Sequence, residues 1–526
     1  MTLTNQLPAI DRVGIVVHGQ MTREESKAQE AGARDEAQGL KQSTLRGGLA
    51  RVVSQAASFV LRIGSLLVLA RLLNPTDFGL VGMVTVVTGV FGLFRDAGLS
   101  MVTIQRSSIS EAEISALFWL NMLVGTVLAL LCAAAAPGLV AFYHEPRLLW
   151  VTLTLAAGFL FNAAGVQHCA VLQRQMRFGA LALADIAALV VSTAVGIGMA
   201  IGGYGYWALV GMGVTLPAVS TFGYWMIGPW WPGMPKKVAG IGSMIKFGGA
   251  MTLNGVIVYV AYNTDKVLLG RIWGAETLGL YGRAFQLINI PTDNLNSAVG
   301  SVAVSALSKL QDSPERFRSY FLKGYALLVA LTIPITVACF LFATDIVAVL
   351  LGQKWLGVAP IFRLLAPTIL ALALINPVTW VLFAMGRVRR SLHMAFVIAP
   401  VVVTGYIAGL PYGPQGVALG YSVMMALLTV PMILWALKGS VVHPGQLLRA
   451  VRPPVLSALL GGVAGFAVAS LMGNESRPLV RLVAEVSAMT AAYLASLLYL
   501  TGQKDFYFGL IRDLRGGAAA ASHVAP

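Results

Sequence analysis

Apolar runs of about 20 residues, the length that crosses a bilayer as a helix, recur along this chain with short polar interruptions. They lie roughly at 50–72, 78–95, 115–136, 148–170, 181–201, 205–228, 247–270, 280–306, 321–343, 360–385, 392–410, 415–437, 454–473 and 479–500. The pattern predicts an all-α polytopic membrane protein with about fourteen transmembrane helices, those near 247–306 being the most polar. Connections on one side are short, such as "GGYG" at 202–205 and "LPYGPQG" at 410–416. They leave no room for an external catalytic domain. The first 45 residues are polar, mixed in charge and without an apolar h-region, so a flexible cytoplasmic tail is expected at 1–45 and a second one at 503–526.

Composition strengthens this picture. The chain is 57% hydrophobic and only 11% charged, with mean hydropathy +0.77, against about 25% charged residues in soluble domains. Its formal charge of +15 reads as an excess of Lys and Arg in cytoplasmic loops, not as a nucleic-acid surface. With the N-terminus inside, 27 of the 37 basic residues fall in inner connections and tails and 8 in outer ones. Both termini are therefore expected on the cytoplasmic side of the membrane. Cys132, Cys169 and Cys339 are far apart in sequence and have no metal spacing, so they are read as packing residues. His168 is read the same way.

A shift of 200 residues aligns "LARLLNPTDFGLVG" (69–82) with "LGRIWGAETLGLYG" (269–282), matching Leu69/Leu269, Arg71/Arg271, Gly79/Gly279, Leu80/Leu280 and Gly82/Gly282. "FNAAGVQHCAVLQRQMR" and "INPVTWVLFAMGRVRRS" echo each other at a shift of 214. A repeat displaced by six helices keeps its membrane orientation, so the halves form parallel repeats about an axis along the membrane normal, with a substrate cavity between them. The expected divisions are a six-helix lobe at 46–240, a second at 241–440, and two appended helices at 441–502.

Polar residues share faces on these helices. Arg51, Ser54, Ser58, Arg62 and Ser65 follow spacings of three and four, and Arg62 lies about 16 Å beyond Arg51 by helical rise, at mid-bilayer. Gly282, Gln286, Asn289, Asp293, Asn296 and Gly300 form one stripe. Asn254 and Asp265 share a face, and Thr85, Thr88, Gly92, Arg95 and Asp96 mark the second helix. Such stripes must face water or one another. Asp265 is accordingly expected to line the cavity, with Lys266 pointing about 100° away. Plainer roles compete: Lys266 snorkelling to the interface, Arg71 and Arg271 as interfacial anchors, and Asp293 pairing with Lys266 or Arg62. Pro291, Pro334, Pro367 and Pro377 are kinks, either mobile or static. A cavity of arginine, lysine and amides suits an anionic, hydroxyl-rich substrate, because the guanidinium fork matches phosphate oxygens.

"YNTDKVLLGRIWGAETLGLYGRAFQLINIPTDNLNSAVGSVAVSALSKLQDSPERFR", together with "ARLLNPTDFGLVGM", "DAGLS" and "VLQRQMRFGALALADI", resembles bacterial polysaccharide transporters. These are the Wzx-type flippases of the multidrug/oligosaccharidyl-lipid/polysaccharide exporter superfamily, here in the exopolysaccharide or colanic-acid-like branch. The resemblance extends from about residue 42 to about 500. It implies a MATE-like V-shaped bundle of two six-helix lobes plus two helices. It also implies alternating-access export of an undecaprenyl-pyrophosphate-linked oligosaccharide unit for exopolysaccharide or lipopolysaccharide biosynthesis, with a polysaccharide polymerase and a chain-length regulator as partners besides the membrane lipids. Relatives that flip the peptidoglycan precursor use cations in helices 1, 2 and 8, and by helix and depth alone Arg62, Arg71, Arg95 and Arg283 correspond to them.

Within that frame the expected substrate contacts are Arg62, Lys266, Arg71, Arg271, Arg283, Arg95, Gln286, Asn289, Asn296 and Asn254. Asp265 and Asp293 are the expected ion-coupling residues, with protons, sodium and the membrane potential as alternative drivers. No cofactor, metal or nucleotide motif is expected. The competing readings are a multidrug/cation antiporter, favoured by an acidic, aromatic cavity; a lipid II flippase; and a membrane glycan polymerase or ligase, which needs a sizeable external loop.

Overall fold

Eleven segments among the described residues are helical, long and apolar enough to cross a membrane. The structure, a computed structural model, describes residues 55–95, 98–106, 109–234, 241–472 and 477–509, leaving out the side chains of 102, 241–255, 257, 258, 295, 297–299, 301, 302 and 388. Arg51, Ser54, Asp96, the tail at 1–45 and residues 510–526 lie outside the described residues, as does the side chain of Asn254.

The first half comprises α1 (Gln55–Leu72), α2 (Pro75–Leu93), the short α3 (Leu99–Gln105), α4 (Glu111–Tyr143), α5 (Leu148–Arg174), α6 (Phe178–Ile201) and α7 (Trp207–Ile227). The second comprises α8 (Ile241–Lys309), α9 (Pro314–Leu341), the short α10 (Ala343–Leu350) and α11 (Val358–Leu365), α12 (Pro367–Ala384), α13 (Val388–Gly409) and α14 (Gly413–Leu437), followed by α15 (Pro444–Met472) and α16 (Pro478–Ala495). One of the eleven segments, Arg389–Leu437, runs through α14 and all but the first residue of α13; α8 is not among them. Apolarity alone thus gives eleven segments where fourteen helices are expected, because α13 and α14 run together as one and the two arms of α8 carry the polar stripes.

Local chemistry sets the helix ends. At the start of α2 the Asp77 carboxylate accepts the Asn74 backbone N–H at 2.9 Å, and Pro75 opens the helix where its missing N–H costs nothing. At α4, Ser110 and Glu113 bond each other's backbone N–H groups. Asn74 has Gly274 as its counterpart at a shift of 200. There α8 breaks into two arms, 241–273 and 275–309, because Gly274 takes φ 80° and ψ −177°, a conformation that favours glycine. The two expected helices at 247–270 and 280–306 therefore meet without a loop.

The repeat becomes physical where α2 crosses the second arm of α8. A Cβ on Gly79 would lie 1.7 Å from the carbonyl oxygen of Ala275, and one on Gly279 would lie 1.9 Å from that of Pro75. These contacts exchange under the 200-residue shift. Glycine is the residue that lets membrane helix backbones approach so closely.

The largest core fills the second half, around Tyr281, Tyr325, Trp355, Phe362, Tyr406 and Tyr421. It reaches into the first half only at the end bearing Leu69, Ala70, Leu73 and Phe78. Outward faces are apolar, as at Leu123, Leu130, Leu183, Phe222, Val463 and Phe466, which suits lipid. The helices α15 and α16 pack against each other, where Gly461 and Gly465 admit Tyr493 and Met489, and onto α9, where the Tyr493 hydroxyl donates to the Ala330 carbonyl at 2.7 Å. Arg481 ties α16 to Asp345 of α10, with Nε donating at 3.0 Å, and lies 3.6 Å from Glu485.

Candidate functional site

A cavity of about 1080 Å³ lies between the halves. Its walls run from the middle of the bundle, at Leu66, Lys266 and Gly282, to the end bearing Gln55, Arg95 and Asn294. The opposite end is closed by the Gly79–Gly279 crossing and the core beside it. Four helices of the first half and the long α8 of the second supply most of the polar groups. From the first half come Ser58 and Arg62 of α1, Asn162 of α5, Asp185 of α6 and Tyr224 of α7, with Arg95 just beyond α2. From the second come Lys266, Gln286, Asn289, Asp293 and Asn294, all on α8.

Arg62 is exposed into this space and has no hydrogen-bond or ion-pair partner for its guanidinium among the described residues; the Ser65 hydroxyl merely donates to its backbone oxygen at 2.9 Å. Arg95 donates to Asn162 Oδ1 at 3.1 Å. Lys266 donates to Asn263 Oδ1 at 2.7 Å, with its ammonium 5.3 Å from the centroid of the Phe285 ring. That pair steers the amine toward the cavity and leaves its positive charge available there. Asp293 makes no ion pair among the described residues, so the expected pairing with Lys266 or Arg62 is not what holds it. Arginine forks, an ammonium and amides converge on one cavity, an arrangement able to bind a polyanion with hydroxyl groups.

Lys266 stands in the cavity as a substrate contact should, but Asp265 does not line it as expected. Lys266 lines the cavity, whereas Asp265 is fully buried inside the second half and accepts the Tyr281 hydroxyl at 2.8 Å on Oδ2. The rings of Tyr406 and Tyr421 lie nearby, tilted by 30° with centroids 5.6 Å apart. Adjacent helical residues diverge by about 100°, so whichever reaches the cavity, the other must be housed elsewhere. Asp265 Oδ1 has no partner among the described residues. Substituting Tyr281→Phe is expected to lower stability by about 1–3 kcal/mol, because it strips the buried carboxylate of its hydroxyl donor. Thermal unfolding in detergent measures this; an unchanged midpoint would mean the bond contributes nothing.

Several other expected residues lie outside the cavity walls. Arg71 donates to the Val349 carbonyl at 3.1 Å. Arg271 meets His144 Nδ1 and lies 5.5 Å from the Phe142 ring. Arg283 covers the Phe78 ring at 3.7 Å and bonds Gln286 Oε1, so it supports the wall from behind. All three sit toward the closed end, where α1 and the first arm of α8 finish. Asn296 instead faces Asn376, Thr292 and Thr332 in a small gap between α8, α9 and α12. His168 is buried against Trp225, with ring centroids 4.4 Å apart.

Asp185, Tyr224 and Asn162 went unassigned by the pattern of polar faces. Asp185 accepts a hydrogen bond from the Tyr224 hydroxyl at the cavity wall. The signal was available: a lone acid in "FGALALADIAALVV" is an intramembrane charge, which by default marks a functional position. Asn162 is the mid-helix asparagine of the 161–177 echo. Its counterpart Asn376 lines the small gap with Asn296, whereas Asn162 bonds Arg95 at the wall of the main cavity.

The family described as "Polysaccharide biosynthesis protein" matches residues 68–360. The chain belongs to this family. It is 26% identical over 402 residues to the lipopolysaccharide biosynthesis protein WzxC of Escherichia coli (strain K12), covering 74% of this chain and 80% of that protein. Among solved structures, the lipid II flippase MurJ in an inward closed conformation superposes with a TM-score of 0.69 at 14% identity, over 88% of this chain and 99% of that one. An inward-facing multidrug resistance MATE family transporter of the MOP superfamily gives a TM-score of 0.60 at 13% identity, over 73% and 94% respectively. At such identities the likeness concerns the fold, which is the MATE-like helical bundle expected from sequence. A multi-pass membrane protein of the polysaccharide biosynthesis family thus carries a polar cavity between its halves.

Proposed function

We propose that this chain is a flippase that carries an undecaprenyl-pyrophosphate-linked oligosaccharide across the bacterial inner membrane by alternating access. The observation that carries the reading is the cavity itself, with three cationic side chains, Arg62, Arg95 and Lys266, among amides and hydroxyls, closed at one end of the bundle. Pyrophosphate would bind the cations, while Gln286, Asn289 and Asn162 would meet sugar hydroxyls. The termini lie in the cytoplasm, so the open end faces the cytoplasmic leaflet where the lipid-linked unit is made. Fourteen spans arranged as two six-helix lobes plus α15 and α16 are part of this reading. So are coupling through Asp265 or Asp293 to protons, sodium or the membrane potential, and cooperation with a polymerase and a chain-length regulator. The chain acts as a transporter and performs no bond chemistry.

A second reading, a cation or drug antiporter, draws on Asp185 and Asp293, acids that also line the cavity. Deleting the gene in its own bacterium and extracting lipid-linked oligosaccharides separates the two. An undecaprenyl-pyrophosphate repeat unit is expected to accumulate on the cytoplasmic leaflet while surface polysaccharide disappears. Normal surface glycan with altered drug tolerance would overturn the flippase in favour of the antiporter.

A further inference from the structure

The closed end of the cavity is gripped by two arginines that occupy equivalent positions in the repeat, and each reaches into the opposite half. Arg71, near the end of α1, donates to the carbonyl of Val349 in the last turn of α10. Three contacts reinforce it: the buried Trp355 indole N–H donates to the Ala70 carbonyl at 2.6 Å, the Trp355 ring meets Phe78 edge-on at 5.3 Å, and Arg283 covers Phe78. Arg271, near the end of the first arm of α8, reaches the other way. It bonds His144, the residue that caps α4, and lies over Phe142. Tyr143 packs against Gly270 beside it.

We infer that Arg71 and Arg271 form a two-part clasp that holds this end of the transporter shut by bonding at a helix C-terminus of the opposite half, Arg71 to a last-turn carbonyl and Arg271 to the side chain of the C-cap residue. The negative end of a helix dipole favours a cation there, so both contacts are charge-assisted and directional. The mutually close glycines, Gly79 and Gly279, lie between them, so opening this end requires both arginines to let go as the helices part. An arginine bonded to a carbonyl or an imidazole finds water as an alternative partner on release, whereas a wholly apolar seal would expose bare hydrocarbon. Arg71 and Arg271 are thus positioning residues that set the balance between closed and open forms, and the substrate does not touch them. This rests on alternating access but not on the identity of the substrate.

The test is a distance measurement on the full chain in lipid nanodiscs, with no substrate added. Spin labels at Tyr204→Cys and Tyr412→Cys, exposed positions on closed-end connections of opposite halves, report the separation of the halves in a Cys132→Ala, Cys169→Ala, Cys339→Ala background. Arg71→Met and Arg271→Met keep an aliphatic stem and remove the donors. Each is expected to raise the ratio of long to short distances roughly tenfold, and the pair more, as loss of hydrogen bonds to charged groups allows. Trp355→Phe keeps the ring on Phe78 and loses the indole donor, so it shifts the ratio in the same direction by less. Arg363→Met is the control, because Arg363 donates to the Phe340 carbonyl within its own half, at 3.1 Å; it leaves the ratio unchanged. An unaltered distribution in the arginine variants overturns the clasp, as does an equal opening in Arg363→Met. Should the double variant fail to fold, the single variants and Trp355→Phe decide by the same criterion. None of these outcomes depends on which substrate is carried, so a failed clasp leaves the flippase reading standing, and normal glycan in the deletion strain leaves the clasp standing.

Discussion

Replacing Arg62 with alanine is expected to reduce transport by roughly two to four orders of magnitude while leaving the protein folded in the membrane. The guanidinium stands exposed in the cavity without a partner among the described residues. A cation near the middle of a membrane helix costs about 2.5–3.5 kcal/mol on insertion scales. No internal contact offsets that cost here, so removing the charge relieves the fold and harms only what the charge binds. Two charge-assisted bonds to pyrophosphate, each worth about 1.5–3 kcal/mol, account for the predicted range. Arg62→Lys keeps the charge but lacks the planar fork, and about a tenfold loss is expected. The measurement is recovery of surface polysaccharide in the deletion strain, normalised to the amount of protein in the membrane. Wild-type recovery by Arg62→Ala would show that the anion is held elsewhere, with Lys266 and Arg95 as the remaining cavity cations.

The second large effect is expected at the crossing of α2 and α8. Gly→Ala in a helix ordinarily stabilises by about 1 kcal/mol, yet at Gly79 or Gly279 the sign should reverse. The added carbon would lie within 2 Å of a backbone oxygen in each case, at 1.7 Å and 1.9 Å, where neither helix has a flexible side chain to move aside. The helices must separate, and the closed end cannot form as it stands. Transport by Gly79→Ala and Gly279→Ala should fall at least about tenfold, since lost packing of even about 1.4 kcal/mol shifts a conformational balance by that factor. Larger residues such as leucine should abolish it. Gly138→Ala, with no atom within 4 Å of the added carbon, serves as the tolerated control. If all three alanine variants transport alike, close approach of the backbones is dispensable.

Both effects follow from features of unequal legibility. The helices were readable because lipid imposes a simple rule: long apolar runs satisfy their backbone internally, and short polar links join them. The ends of α2 and α4 were set by local residues, and Gly274 stands where the first half has Asn74. Even so, the polar stripes of α8 lowered its apolarity, so the long bent element there could not be distinguished from two helices joined by a loop. The family resemblance rested on dispersed positions and agreed with the match over residues 68–360.

Sequence by itself determined that the chain is a helical membrane protein with an internal repeat, and that Arg62, Gln286, Asn289 and Asp293 lie on polar faces. Periodicity is a local property, so spacing reveals which residues share a face. It does not reveal what that face meets. Only the packing of neighbouring helices decided that Lys266 looks into the cavity while Asp265 turns to Tyr281, that Asp185 joins the wall from α6, and that Arg71 and Arg271 cross between the halves at the closed end. Those assignments depend on the rotation of each helix about its own axis, which is set by close packing with other helices and not by local periodicity.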